Sequence, residues 1–189
     1  MKLLLHCCCA PCAAACIANL NAEGIAPVLF WFNPNIHPLD EYQKRRDALY
    51  AYASAENLPL ESIDEYGEEL FLQSIGVNTE SPARCESCYR LRLEAAAKHA
   101  AEGGFDAFSA SLLISPYQKH DLIRGIGEEL AGRYGLAFLY RDFRPLFREG
   151  RARARSLGMY MQKYCGCGLS EKDSLSILHA KTQRRKVEI

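Results

Sequence analysis

The sequence lacks the features that mark several classes of protein. No apolar run approaches the roughly 20 residues that a transmembrane helix requires. Neither the glycine pattern of a dinucleotide-binding turn nor that of a phosphate loop occurs. There is also no internal repeat, low-complexity tract or linker-like segment. These absences argue against a membrane-spanning chain and leave nucleotide binding without support from any motif.

The N-terminus also lacks the long apolar core of a signal peptide. Leu3–Leu5 begins like one, but His6, a run of cysteines and Pro11 interrupt it. A signal peptide needs about 7–15 apolar residues at this place. We therefore expect no export and a cytoplasmic location.

The length and the charge of the chain predict one domain with a basic end. The 189 residues are 49% apolar, which excludes a disordered chain and suits a single α/β domain over 1–189. From Arg141 onward there are 12 basic and 5 acidic side chains, a net charge of +7, which the first 140 residues balance with −7. We expect this C-terminal part, from about residue 141, to be helical and to face a polyanionic partner.

Short apolar runs alternate with helical patterns along the chain. Strands are predicted at Lys2–His6, Pro27–Phe32, Leu60–Ile63, Asp106–Ser111 and Ala137–Tyr140. Helices are predicted at Pro11–Glu23, Leu39–Asn57, Tyr89–Glu102, Gln118–Tyr134, Gly150–Tyr164 and Ser170–His179. This alternation predicts a parallel sheet with helices on both faces, in which ligands bind beyond the carboxyl ends of the strands. Residues 64–84 give no definite prediction.

Three adjacent cysteines, Cys7 to Cys9, follow the first predicted strand, and Pro11 and Cys12 open the helix after them. A helix N-terminus favours thiolate over thiol, because its dipole presents partial positive charge. Thiolates in such a place serve as metal or cluster ligands or as redox groups. The loop occupies the position of a phosphate loop but lacks its glycines.

The nine cysteines fall into tight groups, which is typical of metal or redox use in a reducing cytosol rather than of a disulfide framework. Cys85 and Cys88 form a CxxC motif at the head of a predicted helix. A thioredoxin-like dithiol is disfavoured, because no strand leads directly into the motif. Together with two cysteines of the first loop, the pair suits zinc or a [4Fe–4S] cluster alike. Cys16, within an alanine-rich helix, is expected to be a buried structural thiol.

Cys165, Gly166 and Cys167 form a CxC motif. Glycine between the cysteines permits the backbone bend that a small disulfide ring demands. Strained disulfides are the labile and catalytic ones, so the motif indicates a dithiol that passes electrons. The alternative is that these cysteines supply two more metal ligands.

Four arginines in the basic part, Arg144, Arg148, Arg151 and Arg155, are spaced four, three and four apart and would share one face of a helix. Such a face is either solvated or binds phosphates.

Seven strings together make the chain resemble a known family. They are Leu3–Cys12, Asn33–Pro38, Arg84–Leu93, Leu112–His120, Tyr140–Arg144, Phe147–Gly150 and Tyr164–Cys167. The family is that of the cobalamin-independent epoxyqueuosine reductases, the QueH type. The resemblance implies a Rossmann-like fold of the adenine-nucleotide-hydrolase type without nucleotide chemistry. It also implies the reduction of an epoxide on the wobble base of tRNA to an alkene.

The resemblance further implies a cofactor and its ligands. Four cysteines match the ligands of a [4Fe–4S] cluster: Cys8, Cys9, Cys85 and Cys88. Cys165 and Cys167 match a redox-active pair. A second, mononuclear iron near the cluster has been proposed for the family. Cys12, in whose place some relatives have aspartate, is a candidate to touch that iron.

The implied partners are the tRNA anticodon stem-loop that carries epoxyqueuosine and an external electron donor of unspecified identity. Basic residues after Arg141 would hold the phosphates, and an unstacked base would enter the pocket. Tyr89, Tyr117 and Tyr160 are candidates to stack on this base. Two alternatives are a zinc-stabilised RNA-binding module without catalysis and a thiol–disulfide oxidoreductase that acts on proteins.

Overall fold

The fold is described from a computed structural model, over residues 1–172. Five parallel strands form one sheet. They are β1 (Leu3–His6), β2 (Pro27–Trp31), β3 (Leu60–Ser62), β4 (Ala107–Ala110) and β5 (Ala137–Phe138). Their order across the sheet is β3-β2-β1-β4-β5. All five predicted strands are confirmed, with ends that differ by one or two residues.

Strand β1 lies at the centre of the sheet and is buried on both faces. Leu3, Leu4 and Leu5 are fully buried, and Leu5 lies opposite Leu29 of β2 and Ser109 of β4. Burying such a side chain stabilises the fold by about 1.5–3 kcal/mol. Apolar residues at successive positions, rather than alternate ones, are therefore what this place in the sheet requires.

Six α-helices connect and follow the strands. They are α1 (Ala10–Ala22), α2 (Leu39–Ala55), α3 (Glu68–Ile75), α4 (Ala83–Glu102), α5 (His120–Tyr134) and α6 (Phe147–Ser156). Pro11 lies in the first turn of α1, and Gly135, with φ +67°, ends α5 in the left-handed conformation, both as predicted. Within the described residues, no helix is long and apolar enough to cross a membrane.

The helices cover both faces of the sheet. Strand order runs from β1 outward to β3 in one direction and from β1 to β5 in the other. Because such crossovers are right-handed, α1 and α2 lie on one face, whereas α4 and α5 lie on the other. The contacts agree: α1 packs against α2 and α6, and α4 packs against α5, β1 and β4. The predicted fold class is confirmed.

Three helical segments differ from the prediction. Helix α3 occupies the stretch that had no definite prediction, and α4 begins at Ala83, six residues before Tyr89. The CxxC motif therefore lies inside the helix. Helix α6 begins at Phe147 and ends at Ser156, well before Tyr164, because Gly158 adopts φ +67° and the Met159 N–H turns back to the carbonyl of Ala154. Residues 168–172 are helical, and the rest of the predicted helix Ser170–His179 lies outside the described residues.

Candidate functional site

The predicted site residues lie at the carboxyl edge of the sheet, where the strand order changes direction. The loop of Cys7 to Cys9 follows β1, and a 3₁₀ turn, Ser111–Ile114, follows the neighbouring β4. The backbone N–H of Cys8 donates to Ser111 Oγ at 3.3 Å and thereby ties the two loops together. A crevice at this point of an open parallel sheet is the usual place for a ligand.

The first thiol group consists of Cys8, Cys9 and Cys12, whose sulfurs all lie within 4.8 Å of one another. Cys9 is the last extended residue before α1, and Cys12 lies one turn into that helix, so the strand–helix junction itself gathers the three. The Sγ atoms of Cys8 and Cys9 are 3.9 Å apart. Tetrahedral sulfur ligands about 2.3 Å from one ion are themselves about 3.8 Å apart, so the spacing suits a single metal ion.

Hydrogen bonds make Cys8 the acidic member of the first thiol group. Its hydrogen bonds with Cys12 and Cys9 lower the pKa of Cys8 well below its ordinary value despite burial. The hydrogen bond to Cys8 raises the pKa of Cys12, and burial raises that of Cys9. The three thiols of the group therefore differ in acidity, with Cys8 the most acidic.

Cys7 and Cys16 lie outside this group and are fully buried. Burial raises the pKa of both thiols well above their ordinary value. Cys7 donates its proton to the carbonyl of Leu5 at 3.2 Å. The expectation that Cys16 is a buried thiol is confirmed.

The second thiol group consists of four cysteines that line one small pocket: Cys85, Cys88, Cys165 and Cys167. The spacing of three places Cys85 and Cys88 on one side of the first turns of α4. The CxC motif reaches the same pocket from the far end of the described chain. All nine cysteines are free thiols.

The two cysteines of the CxC motif differ in acidity and exposure. Cys165 is exposed, and a hydrogen bond from the Cys167 thiol lowers the pKa of Cys165 to about 5. Ser170 Oγ lies 3.0 Å from the Cys165 sulfur and stabilises the same thiolate. Cys167 is buried, and its hydrogen bond to Cys165 raises its pKa. The pair therefore holds a reactive thiolate beside a protonated thiol.

A buried ion pair fixes the backbone of the CxC motif to α2. Arg45 is 1% exposed, and it donates from Nη1 to the carbonyl of Cys165 at 3.2 Å and from Nη2 to that of Tyr164 at 3.0 Å. Its Nε lies 2.6 Å from a carboxylate oxygen of Glu41. Tyr160 donates its hydroxyl proton to the other oxygen of Glu41. Glu41 and Arg45 were not predicted, although a Glu–Arg pair four apart on an otherwise buried helix face is a signal that could have found them.

Gly166 is required where it stands. Its φ is +126°, a conformation that side chains with a Cβ rarely adopt. A Cβ there would lie 3.0 Å from a side-chain carbon of Ile36 and 3.2 Å from Arg45 Nη1. The N–H of His37 donates to the Gly166 carbonyl at 2.9 Å. The prediction that glycine permits the bend between the two cysteines is confirmed.

Arg92 connects the two thiol groups. It is 2% exposed, and its Nη1 lies 3.8 Å from the sulfur of Cys88. Its Nη2 donates to Asn33 Oδ1 at 2.9 Å, and Asn33 Nδ2 donates to the Cys7 carbonyl at 2.9 Å. After the hydrogen bonds described above, the charge of Arg92 also contributes to the low pKa of Cys8 and of Cys165. Neither Arg92 nor Asn33 was singled out from the sequence.

The structure therefore gathers the predicted cluster ligands as two pairs. Cys8 and Cys9 lie with Cys12, and Cys85 and Cys88 lie with the CxC motif. Arg92 contacts Cys88 of one pair and, through Asn33, reaches the backbone of Cys7, the residue before the other pair. The assignment of all four as ligands of one cluster stays a prediction.

The predicted arginine stripe is only partly helical. Arg144 precedes α6 and pairs with Asp142 at 2.5 Å. Arg148 and Arg155 are exposed, and the guanidinium of Arg151 lies 5.6 Å from the centre of the Phe147 ring. The opposite face of α6 packs against α1.

The three candidate stacking tyrosines have different surroundings. Tyr89 is buried, and its hydroxyl donates to Gln118 Oε1 at 2.6 Å. Tyr160 is engaged by Glu41. Tyr117 is 81% exposed, and it is therefore the candidate whose ring is open to solvent.

Comparison with known proteins gives consistent matches over nearly the whole chain. A family model described as "Epoxyqueuosine reductase QueH" matches residues 3–173. A curated epoxyqueuosine reductase QueH from Dehalococcoides mccartyi is 37% identical over 170 residues, covering 90% of this chain and 92% of that protein. One from Thermotoga maritima is 35% identical, covering 89% of each chain. One from Histophilus somni is 34% identical, covering 100% of this chain and 79% of that protein.

Among solved structures, a predicted subunit of tRNA methyltransferase from Methanocaldococcus jannaschii is similar with a TM-score of 0.49. It is 12% identical, and the match covers 82% of this chain and 88% of that one.

Proposed function

The chain belongs to the epoxyqueuosine reductase QueH family and is an oxidoreductase that acts on tRNA; we propose that it reduces epoxyqueuosine to queuosine with a [4Fe–4S] cluster and a pair of redox-active cysteines. The cluster ligands would be Cys8, Cys9, Cys85 and Cys88. The redox pair would be Cys165 and Cys167. The observation that carries the proposal is the meeting of both thiol groups around Arg92 at the carboxyl edge of the sheet.

The donor atoms fit an iron–sulfur group. Thiolates are the ligands that such clusters use. Arg92 pairs with no carboxylate within residues 1–172; its guanidinium meets only the Cys88 sulfur and the side-chain oxygen of Asn33. A buried charge without a partner is costly, and a thiolate-bound cluster would supply the negative charge that Arg92 lacks. When bound, the cluster would supply electrons one at a time.

The CxC pair can balance the reaction. Conversion of an epoxide to an alkene breaks two carbon–oxygen bonds and requires two electrons and two protons. Oxidation of the Cys165 thiolate and the Cys167 thiol to a disulfide releases two electrons and one proton, solvent supplies the second proton, and the oxygen leaves as water. An external reductant must then reduce the disulfide. The exposed thiolate of Cys165 is the member of the pair that substrate or reductant would meet first.

Cys12 is proposed as a ligand of a second, mononuclear iron beside the cluster. Its sulfur lies within 4.8 Å of those of Cys8 and Cys9, a spacing that suits one ion. Such an iron would act as a Lewis acid on the epoxide oxygen. Aspartate at this position would also be a ligand for iron.

The substrate is proposed to be the anticodon stem-loop of tRNA, bound in the cytoplasm. The exposed arginines of α6 would contact its phosphates, because phosphate contacts position a nucleic acid without reading its sequence.

Anaerobic turnover tests the function directly. Protein purified without oxygen is incubated with a reductant and tRNA that carries epoxyqueuosine, and the nucleosides are then identified by mass spectrometry. We expect queuosine to replace epoxyqueuosine, and we expect iron and sulfide in the protein. Stoichiometric zinc without sulfide and without conversion would instead identify an RNA-binding module. Colourless protein that reduces protein disulfides would identify a thiol–disulfide oxidoreductase.

A further inference from the structure

An exposed aromatic cluster includes Tyr117, the residue before Gln118, which lines the second thiol pocket. The Tyr117 ring is 81% exposed and stands edge-on to Phe147, with ring centres 5.9 Å apart and an angle of 81° between the planes. The guanidinium of Arg151 lies on Phe147. We call Tyr117, Phe147 and Arg151 the aromatic platform.

The platform is fixed to the helix that carries the CxxC motif. Gln118, the residue after Tyr117, lines the pocket together with Cys85 and Cys88. Its side chain accepts the Tyr89 hydroxyl proton, and the same hydroxyl accepts the Lys119 N–H at 3.2 Å. Tyr117 therefore lies one residue away from the pocket lining, on a loop that α4 holds in place.

The segments that form the platform carry two exposed cations, Lys119 and Arg148, beside one exposed acid, Glu149. Lys119 and Arg148 are exposed, and neither forms an ion pair within residues 1–172. Arg144, by contrast, is neutralised by Asp142. The free cations thus lie on the loop of Tyr117 and on the first turn of α6, the two segments that form the platform.

We propose that the aromatic platform stacks on an unpaired RNA base, the neighbour of the base that enters the thiol pocket. The proposal rests on the proposed function in one respect, that the substrate is a tRNA loop. Single-stranded RNA is recognised by bases that splay out and stack on aromatic rings and on arginine. An exposed ring with free cations beside it is suited to this partner, since the ring stacks and the cations meet the flanking phosphates.

A pair of variants tests the platform. Tyr117→Phe keeps the ring, whereas Tyr117→Ala removes it. The probe is an anticodon stem-loop RNA with 2-aminopurine next to the wobble position, whose fluorescence is quenched by stacking. We expect Tyr117→Ala to weaken binding by roughly 5- to 150-fold, the range for loss of one base–aromatic stack, and to change the fluorescence response. Tyr117→Phe should behave like the unsubstituted protein.

Two controls keep the result specific. Tyr66→Ala removes a partly exposed tyrosine from the segment before α3 and should leave RNA binding unchanged. Iron and sulfide content should be the same in all four proteins, because Tyr117 contacts no cysteine. Equal RNA affinity of the Tyr117→Ala variant and the unsubstituted protein would overturn the proposal. So would a loss confined to reduction by a protein electron donor, which would make the platform a docking surface for that donor.

The test of the aromatic platform and the test of the proposed reductase activity can fail independently of each other. If the unsubstituted protein binds the RNA but does not reduce epoxyqueuosine, the reductase proposal fails while the fluorescence and affinity of the Tyr117 variants still support the platform. If reduction proceeds and Tyr117→Ala changes neither affinity nor fluorescence, the platform alone fails.

Discussion

The two thiol groups are built in different ways. Cys8, Cys9 and Cys12 come from one strand–helix junction, so local structure alone brings their sulfurs within 4.8 Å. The second group is assembled from the first turns of α4 and from the CxC motif, segments that lie far apart in the sequence. The first group is mostly buried, whereas Cys165 of the second is exposed.

This difference suggests that the two thiol groups have different functions. A compact, mostly buried group of three sulfurs within 4.8 Å of one another is suited to holding metal. A group that lines a pocket and presents an acidic, exposed thiol is suited to meeting substrate and exchanging electrons. Arg92 and Asn33 join the two, which explains why a cluster could draw ligands from both.

Loss of a proposed ligand should have the largest effect. Cys85→Ser should abolish the iron–sulfur absorbance and reduce the iron and sulfide content to near zero, because the cluster would lose one of four thiolates. Metal analysis and the visible spectrum of anaerobic protein measure this. Cys16→Ser, which alters a buried thiol outside both groups, is the matched control and should keep its iron. An unchanged spectrum in Cys85→Ser would remove that residue from the ligand set.

Loss of the exposed Cys165 thiol should show that the two thiol groups have different functions. Cys165→Ser should retain iron and sulfide but lose conversion of epoxyqueuosine, because the dithiol could no longer form a disulfide. Single-turnover assays with quantified iron measure both quantities. Full turnover would show that the CxC motif carries no electrons, and loss of iron would place Cys165 among the ligands.

The acidity of Cys165 should show in its reaction with iodoacetamide. The rate should rise through a pH of about 5 and then level off, because the thiolate is the reactive form and the hydrogen bond from Cys167 stabilises it. Cys167→Ala removes that bond and should move the midpoint upward, toward the ordinary thiol value. Mass spectrometry of the labelled peptide follows the rate. A midpoint that does not change would mean that Cys167 does not stabilise the thiolate.

Substitution of Arg92 should have the smallest effect of these four changes. It should alter the midpoint potential of the cluster and leave the iron and sulfide content of the protein unchanged. Arg92→Met removes a positive charge that favours the reduced cluster, since the reduced form is the more negative one. The midpoint potential of the cluster should therefore fall by roughly 60 mV for each 1.4 kcal/mol of lost interaction. Arg92→Lys should retain most of the potential, since the charge remains. Redox titration followed by electron paramagnetic resonance measures both. Equal potentials in the Met variant and the unsubstituted protein would show that Arg92 does not act on the cluster.

Much of the fold follows from local sequence. The apolar runs of β1 and β2 could be recognised because central parallel strands are buried on both faces, and Gly135 marks the end of α5 by its conformation. Helix α3 was not predicted, because it is only eight residues long and its first turn is acidic. The early start of α4 was missed because residues 64–84 gave no definite prediction and the CxxC motif was placed ahead of the helix.

Less of the site could be predicted. The thiol groups were visible as motifs, since cysteine spacing carries their chemistry. Arg45, Glu41 and Arg92 were not, because charged residues within helical patterns are usually solvated. Asn33 was not, because it lies in a turn-rich loop where a polar side chain is ordinary. Only the tertiary fold shows that Arg45 holds the CxC backbone and that Arg92 connects the two thiol groups.

Anomalous scattering at the iron edge from anaerobically grown crystals tests the central claim most directly. The account predicts one multi-iron peak beside Arg92, within bonding distance of Cys8 and Cys9 on one side and of Cys85 and Cys88 on the other. Iron bound to one thiol group alone, or a peak at the zinc edge instead, would contradict it.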